Sequence, residues 1–202
     1  MTQKHLFSIF DVTKQVFYST PLSIGIVNLK PLLPGHVLII PKRVVPRLSD
    51  LNTPEITDLF LTVQKVGKGL ERYYNAQALT ISLQDGRSAG QSVPHVHVHI
   101  LPRHSTDFNG ENDRIYPLLE DNESHLKENL ETSQIQKKSI MANGNINNQP
   151  KKTNANTTGN ANGIGENWDI PSDEDRKPRS MAEMEDEARA FTEYFKSIEG
   201  IQ

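Results

Sequence analysis

Apolar positions fall into short, closely spaced blocks up to about residue 120 and thin out beyond it. Residues 16–18 and 23–28 read as two short strands, with Pro21 in the turn between them. Pro31 and Pro34-Gly35 mark the next turn, and residues 36–40 form a short buried strand ended by Pro41. Thr53 then offers a helix N-cap, with Pro54 at the first helical position and Glu55 after it. Ile56, Leu59, Phe60, Val63, Leu70 and Tyr74 follow near helical spacing, which predicts an amphipathic helix over 54–74, weakened locally by Gly67 and Gly69. Residues 80–84 read as a strand, Asp85-Gly86 opens a loop ending near Val93, and residues 95–101 form a last strand closed by Pro102. Strands, one main helix, then strands predict an α+β domain over residues 1–120 with a largely antiparallel sheet.

The second part of the chain has a different character. Residues 141–165 carry 8 Asn and 4 Gly with little apolar surface to offset chain entropy. Residues 121–180 are therefore expected to be a disordered, Asn-rich linker serving as a solvated spacer. Beyond it, Ser180 and Glu183 form a capping box. Met181, Met184, Ala188, Phe191 and Phe195 then alternate spacings of three and four, one apolar seam on a helix over 181–198. Such a helix should dock on the core or on a second subunit.

Composition narrows the class. The 202 residues hold 22 Lys+Arg against 25 Asp+Glu, a net charge of -3, and mean hydropathy is -0.56. The charge splits into +2 over residues 1–120 and -5 over the remainder. There is no basic excess to neutralise a nucleic-acid backbone and no apolar run to span a bilayer, so neither partner is expected. Cysteine is absent, which removes disulfides, thiolate metal sites and thiol nucleophiles. The first residues lack an apolar secretory core, so the expected location is the cytoplasm. The pairs Lys137-Lys138 and Lys151-Lys152 are too short to specify nuclear import, which leaves the nucleus open.

Six of the seven histidines lie in the first 120 residues, and three of them alternate in His95-Val96-His97-Val98-His99-Ile100-Leu101. On a strand, the three imidazoles share one face and Val96, Val98 and Ile100 the other. Three surface histidines on a plain amphipathic strand would not need that regularity or the preceding Gly loop. Zinc is disfavoured: His95 and His99 would stand about 13 Å apart at about 3.3 Å per residue, too far for one ion. Nucleophilic attack on phosphorus fits better. An imidazole near its ordinary pKa of about 6.5 is largely neutral at pH 7 and attacks without strong activation. A neighbouring imidazole can protonate the leaving oxygen. The turn Ser88-Ala89-Gly90-Gln91-Ser92 can supply clustered backbone N–H groups for phosphate, with Gly90 permitting close approach. No Walker-type loop is present.

These residues resemble the histidine triad (HIT) superfamily of nucleotide hydrolases and transferases, whose pattern is His-φ-His-φ-His-φ-φ with φ apolar. The stretches Asn28-Leu29-Lys30-Pro31-Leu32-Leu33-Pro34-Gly35-His36, Gln84-Asp85-Gly86 and Ala89-Gly90-Gln91-Ser92-Val93 look like its fragile histidine triad (Fhit) branch. The resemblance covers residues 7–120 and resumes weakly over 179–197; the Asn-rich insertion departs from it. Ile9 also departs, falling where the branch can place a polar nucleotide contact. The resemblance implies a HIT-like α+β fold and a homodimer whose sheet continues across a two-fold axis. It implies hydrolysis of dinucleoside polyphosphates, typically diadenosine triphosphate to AMP and ADP, with magnesium or manganese complexed to the substrate and no organic cofactor. By match, His97 is the nucleophile that becomes a nucleotidyl-histidine, His99 contacts the phosphates near the leaving group, and His95 and His36 orient the nucleophile. Gln84, Gln91 and Ser92 are implied phosphate contacts, along with the loop backbone through Gly90 and Val93, and Asn28 a ribose contact. Asn28 as a plain turn residue and Gln84 as a strand-end cap stay open beside those roles, and Phe7, Phe10 and Leu29 suit an adenine pocket or ordinary core packing. A phosphoramidase of the same superfamily and a nucleotide-binding signalling module are the competing functions.

Overall fold

The computed structural model describes residues 3–142 and 175–199. A two-residue hairpin, β1 (Leu6–Phe7) and β2 (Phe10–Asp11), precedes the main sheet. That sheet contains β3 (Val16–Ser19), β4 (Ser23–Val27), β5 (Val37–Pro41), β6 (Ala78–Ser82) and β7 (Val98–Arg103). Their order is β3-β4-β5-β7-β6, and every neighbouring pair is antiparallel. Helices α1 (Thr53–Tyr74), α2 (Ile115–Ala142) and α3 (Met181–Glu199) complete the fold. The α+β class and the antiparallel sheet are those expected from the sequence. No helix among the described residues is long and apolar enough to cross a membrane.

Helix α1 starts one residue earlier than its pattern suggested. Asn52, not Thr53, is the cap: its side chain accepts from Glu55 N at 3.0 Å, and Glu55 Oε2 accepts from Asn52 N at 2.9 Å. Arg43 grips the same carboxylate with two bonds of 2.6–2.7 Å, tying the end of β5 to the helix start. Gly67 and Gly69 are where other elements press closest. A Cβ on Gly67 would stand 2.6 Å from Leu79 Cδ1, and one on Gly69 2.3 Å from Phe195 Cε1. Their helix-propensity cost is thus offset by the close approach of β6 and α3.

Helix α3 returns to the same chain. Its seam of Met184, Ala188, Phe191 and Phe195 is buried, and Phe191 meets Phe17 and Tyr73 edge-on at centroid distances of 5.2 and 5.4 Å. The Ser180–Glu183 capping box is formed. Thr192 Oγ1 donates to Phe17 O on β3, and Tyr194 Oη donates to Gly69 O.

The expected linker over 121–180 needs correcting at its start. Residues 121–142 belong to α2, so the break expected after residue 120 falls inside a helix. Ile115, Leu119, Leu126 and Leu130 supply an apolar stripe at helical spacing, and all four are buried. Residues 143–174, most of the expected spacer, lie outside the described residues.

The last strand is also shifted. The ladder begins at Val98, so His95 and His97 precede it, and it continues through Pro102 to Arg103. Pro102 is tolerated because β7 pairs with β5 only as far as Ile100, leaving no partner for a missing N–H on that side. Val98 and Ile100 join the core beneath α1. His99 and Leu101 face the other side, where Leu101 packs with Ile115 and Leu119 of α2.

Candidate active site

Four imidazoles and one carboxylate meet between β5, the approach to β7, and α2. All are buried: His95, His97, His99, His36 and Glu123 each expose 1% or less. His97 Nδ1–H donates to the carbonyl of His95 at 2.7 Å, which aims Nε2 away from the backbone. Nε2 then donates to Glu123 Oε2 at 2.9 Å, and His99 Nε2 reaches the same oxygen at 3.3 Å. The Ser92 amide donates to Glu123 Oε1 at 2.9 Å, and Ser92 Oγ donates to the Glu123 carbonyl at 2.5 Å. Donors from two triad histidines and the Gly90-Gln91-Ser92 turn thus converge on one anion.

Behind His99 runs a relay of fixed polarity. The Leu32 amide donates to His36 Nδ1 at 3.2 Å, so His36 carries its proton on Nε2 and donates to His99 Nδ1 at 2.9 Å. That leaves His99 with a proton on Nε2, pointing into the site. Asn28 Nδ2 lies 3.2 Å from His36 Nε2, while its Oδ1 accepts from the Lys30 amide at 2.9 Å. Arg179 Nε donates to the Asn28 carbonyl at 3.1 Å, clamping this corner from the segment before α3.

Several residue roles differ from those the resemblance implied. His95 orients His97 through its backbone carbonyl, not its ring. The ring accepts from the Ser8 amide at 2.9 Å and donates from Nε2 to the Pro41 carbonyl at 3.0 Å. His36 orients His99 and makes no hydrogen bond to the nucleophile candidate. The Gln91 side chain holds the loop together, accepting from Gly86 N and donating to the carbonyls of Pro46 and His95. With its amide so occupied, the Gln91 side chain is not presented to a phosphate. The Val93 side chain anchors the loop in the core, which leaves its implied backbone contact unchanged, and Asn28 makes the turn contact to Lys30. Gln84 stays near the site: its Nε2 donates to Ser82 Oγ at 3.2 Å, and its Oε1 has no hydrogen-bond partner among the described residues. Gly90 needs its glycine, with φ +92°. Phe7, Phe10 and Leu29 are all core residues, with Phe7 edge-on to His97 at 5.2 Å, whereas Ile9 is exposed.

Glu123 is the member that reading the motif missed. It lies between the two apolar halves of the α2 stripe, where Leu119 and Leu126 fix a buried face. That periodicity was the available signal. His97, His99 and Glu123 bring one ligating atom each within 4.8 Å of one another, close enough for a cation. An ion on His97 Nε2 would consume the lone pair that nucleophilic attack requires, so the hydrogen-bonded arrangement carries the chemistry considered below.

The imidazoles differ in charge preference. Burial opposes charge on His97, but the Glu123 carboxylate outweighs it and holds the ring above its ordinary value. Burial pushes His99 down, and the neighbouring His97 adds to that against the pull of Glu123. His36 lies well below its usual range, from burial and the charge of His99. Burial pushes His95 down to about 4, and the Ser8 amide aimed at Nδ1 is satisfied only by the neutral ring. A ring that binds protons less well when folded adds stability that is fully present above pH 6.5 and lost as pH falls toward 4. At about 1.4 kcal/mol per tenfold change in proton affinity, His95 alone is worth about 3 kcal/mol across that window. Urea denaturation is expected to show most of this loss between pH 7 and 4.5, and His95→Gln to flatten it. An unchanged slope in that variant would contradict the assignment.

A HIT-domain family model matches residues 10–106. The chain belongs to the HIT-domain family. It is 47% identical over 195 residues to the asymmetrical bis(5'-nucleosyl)-tetraphosphatase of Schizosaccharomyces pombe, covering 96% of each chain. It is 40% identical over 192 residues to a bis(5'-adenosyl)-triphosphatase of Saccharomyces cerevisiae, covering 93% of this chain and 90% of that one. The crystal structure of a Plasmodium falciparum diadenosine triphosphate hydrolase, in complex with cyclomarin A, superposes with a TM-score of 0.51 at 30% identity. It covers 71% of this chain and 88% of that one.

Proposed function

We propose that this chain hydrolyses dinucleoside polyphosphates, cleaving diadenosine triphosphate to AMP and ADP through a nucleotidyl group on His97. The observation that carries this reading is the convergence of His97 Nε2, His99 Nε2 and the Ser92 amide on one buried oxyanion. A phosphate seated there would present its phosphorus to His97. The Nε2–P bond forms as the P–O bond to the departing nucleoside diphosphate breaks. The His95 carbonyl, on Nδ1–H, favours the imidazolium character that develops on the ring. His99 Nε2–H, polarised through His36, donates to the leaving oxygen. Water then cleaves the P–N bond, releasing AMP and restoring His97. Magnesium or manganese enters as the polyphosphate complex, its part being to neutralise substrate charge.

The relatives' names support dinucleoside polyphosphates as the substrate class and differ in chain length. Diadenosine triphosphate and diadenosine tetraphosphate both belong to that class. The kcat/KM on diadenosine triphosphate should exceed that on adenosine phosphoramidate. Faster phosphoramidate cleavage would make the chain a phosphoramidase, and tight binding without turnover of any of the three would make it a binding module.

The same reading includes a homodimer. β6 is one of the two edge strands of the sheet, with Ile81 on it exposed, and Phe60 and Leu61 are exposed on α1. Light scattering should return twice the 22.7 kDa chain mass; a monomer at micromolar concentration would contradict this part.

A further inference from the structure

We infer that Glu123 is a tethered phosphate surrogate: in the ligand-free chain it closes the anion site, and substrate enters only when this part of α2 withdraws. The inference rests on the reading that the substrate phosphate binds among His97, His99 and Ser92.

The geometry gives three reasons. Three donors expected to grip the phosphate, on Ser92, His97 and His99, are engaged by Glu123. The Ser92 amide lies 2.9 Å from Oε1, His97 Nε2 2.9 Å from Oε2, and His99 Nε2 3.3 Å from Oε2. Ser92 Oγ is also held, by the Glu123 carbonyl at 2.5 Å. The site is sealed as well. Glu123 and His99 expose none of their surface and His97 exposes 1%, so no phosphorus reaches Nε2 while the carboxylate stays. A polyphosphate and a buried carboxylate cannot share these donors, since like charges at contact distance in a dry site repel strongly.

Glu123 also holds the nucleophile in the wrong protonation state. His97 Nδ1–H is committed to the His95 carbonyl, and Nε2 faces a carboxylate oxygen that can only accept. Both ring nitrogens therefore carry protons in the closed form. Attack needs the Nε2 lone pair, so that proton must pass to solvent once the carboxylate withdraws.

The helix is built for such a contact. Its buried stripe is apolar at both ends, with Ile115 and Leu119 before the site and Leu126 and Leu130 after it, and polar at Asn122 and Glu123 over the site itself. Asn122 Nδ2 donates to the Lys30 carbonyl at 3.1 Å, beside the Asn28–His36 corner. A leucine at position 123 would suit packing alone. A carboxylate there provides an anion that a stronger anion can displace.

The test compares wild type with Glu123→Gln and Glu123→Ala, using diadenosine triphosphate with magnesium for turnover and AMP alone for binding. If the closed form outnumbers the open one about tenfold, both variants lower KM and the AMP Kd by about tenfold without a fall in kcat. In the wild type, saturating AMP should speed amide hydrogen exchange over residues 118–130 while slowing it over residues 90–97. An unchanged or higher KM in both variants, a collapse of kcat in Glu123→Gln, or α2 amides that gain protection with AMP would each overturn the inference. The wild-type exchange measurement decides the matter if the variants fail to fold. Wild type that hydrolyses no dinucleoside polyphosphate, yet loosens α2 on binding AMP, would retain the gate and remove the proposed activity.

Discussion

His97→Asn is expected to lower kcat on diadenosine triphosphate by at least about a thousandfold, equivalent to about 4 kcal/mol of transition-state stabilisation. Asn can keep a donor toward the His95 carbonyl, so the loop need not rearrange. It has no lone pair basic enough to form a bond to phosphorus. The remaining anion contacts from Ser92 and His99 are untouched, so AMP binding should persist within about tenfold of wild type, at most about 1.4 kcal/mol. Loss of turnover with retained binding separates a missing nucleophile from a damaged pocket. His99→Asn should lose less, on the order of a hundredfold, because it removes a proton donor while leaving the covalent route intact. Turnover within tenfold of wild type in His97→Asn would remove His97 from the chemistry.

Phe191→Ala is expected to destabilise the protein by about 3–5 kcal/mol, the usual cost of emptying a buried phenylalanine site. Phe191 exposes 1% of its surface and contacts Phe17, Tyr73 and Tyr74, joining α3 to β3 and α1. The neighbours cannot collapse easily. Phe195 already presses against Gly69, and Tyr73 is held between Tyr74 and Tyr194 at centroid distances of about 5 Å. Against a total stability of typically 5–15 kcal/mol, the loss should move the urea midpoint markedly. A second consequence is local. Arg179 carries both the start of α3 and the bond to the Asn28 carbonyl, so a loosened α3 should weaken the support behind His36 and His99. A shift of under 1 kcal/mol would mean that α3 does not dock where the aromatic contacts put it.

Much of the fold was legible because most of its elements obey one local rule each. The β4 and β5 blocks, Ser23–Val27 and Val37–Pro41, are buried throughout and stand out as apolar runs between turn residues. Helix α3 carries both its capping box and its seam in plain order. Helix α2 was obscured because Asn122 and Glu123 interrupt its stripe at the point where it crosses the site. A buried pair of polar residues reads as a solvated segment until the histidines opposite are known. The triad was legible as spacing, but the path of its hydrogen bonds was not. Alternation suggested three equivalent imidazoles on one face, whereas the regular strand starts only at Val98 and the His95 ring turns to Ser8 and Pro41. Main-chain contacts at long sequence separation decide that orientation, and no local pattern encodes them. Gln91 shows the same limit. Its amide could serve a phosphate or the loop, and the nearby carbonyls of Pro46 and His95 settle it for the loop.

Attack on the α-phosphorus, which the route through His97 requires, is tested most directly by incubating the protein with diadenosine triphosphate and magnesium in water enriched in heavy oxygen. Products would be resolved by chromatography and mass. Attack on the α-phosphorus, followed by hydrolysis of a nucleotidyl-histidine after ADP has left, predicts equal AMP and ADP with heavy oxygen in AMP alone. Label in ADP would mean that water had entered on the other side of the cleaved bond, and would contradict the central claim.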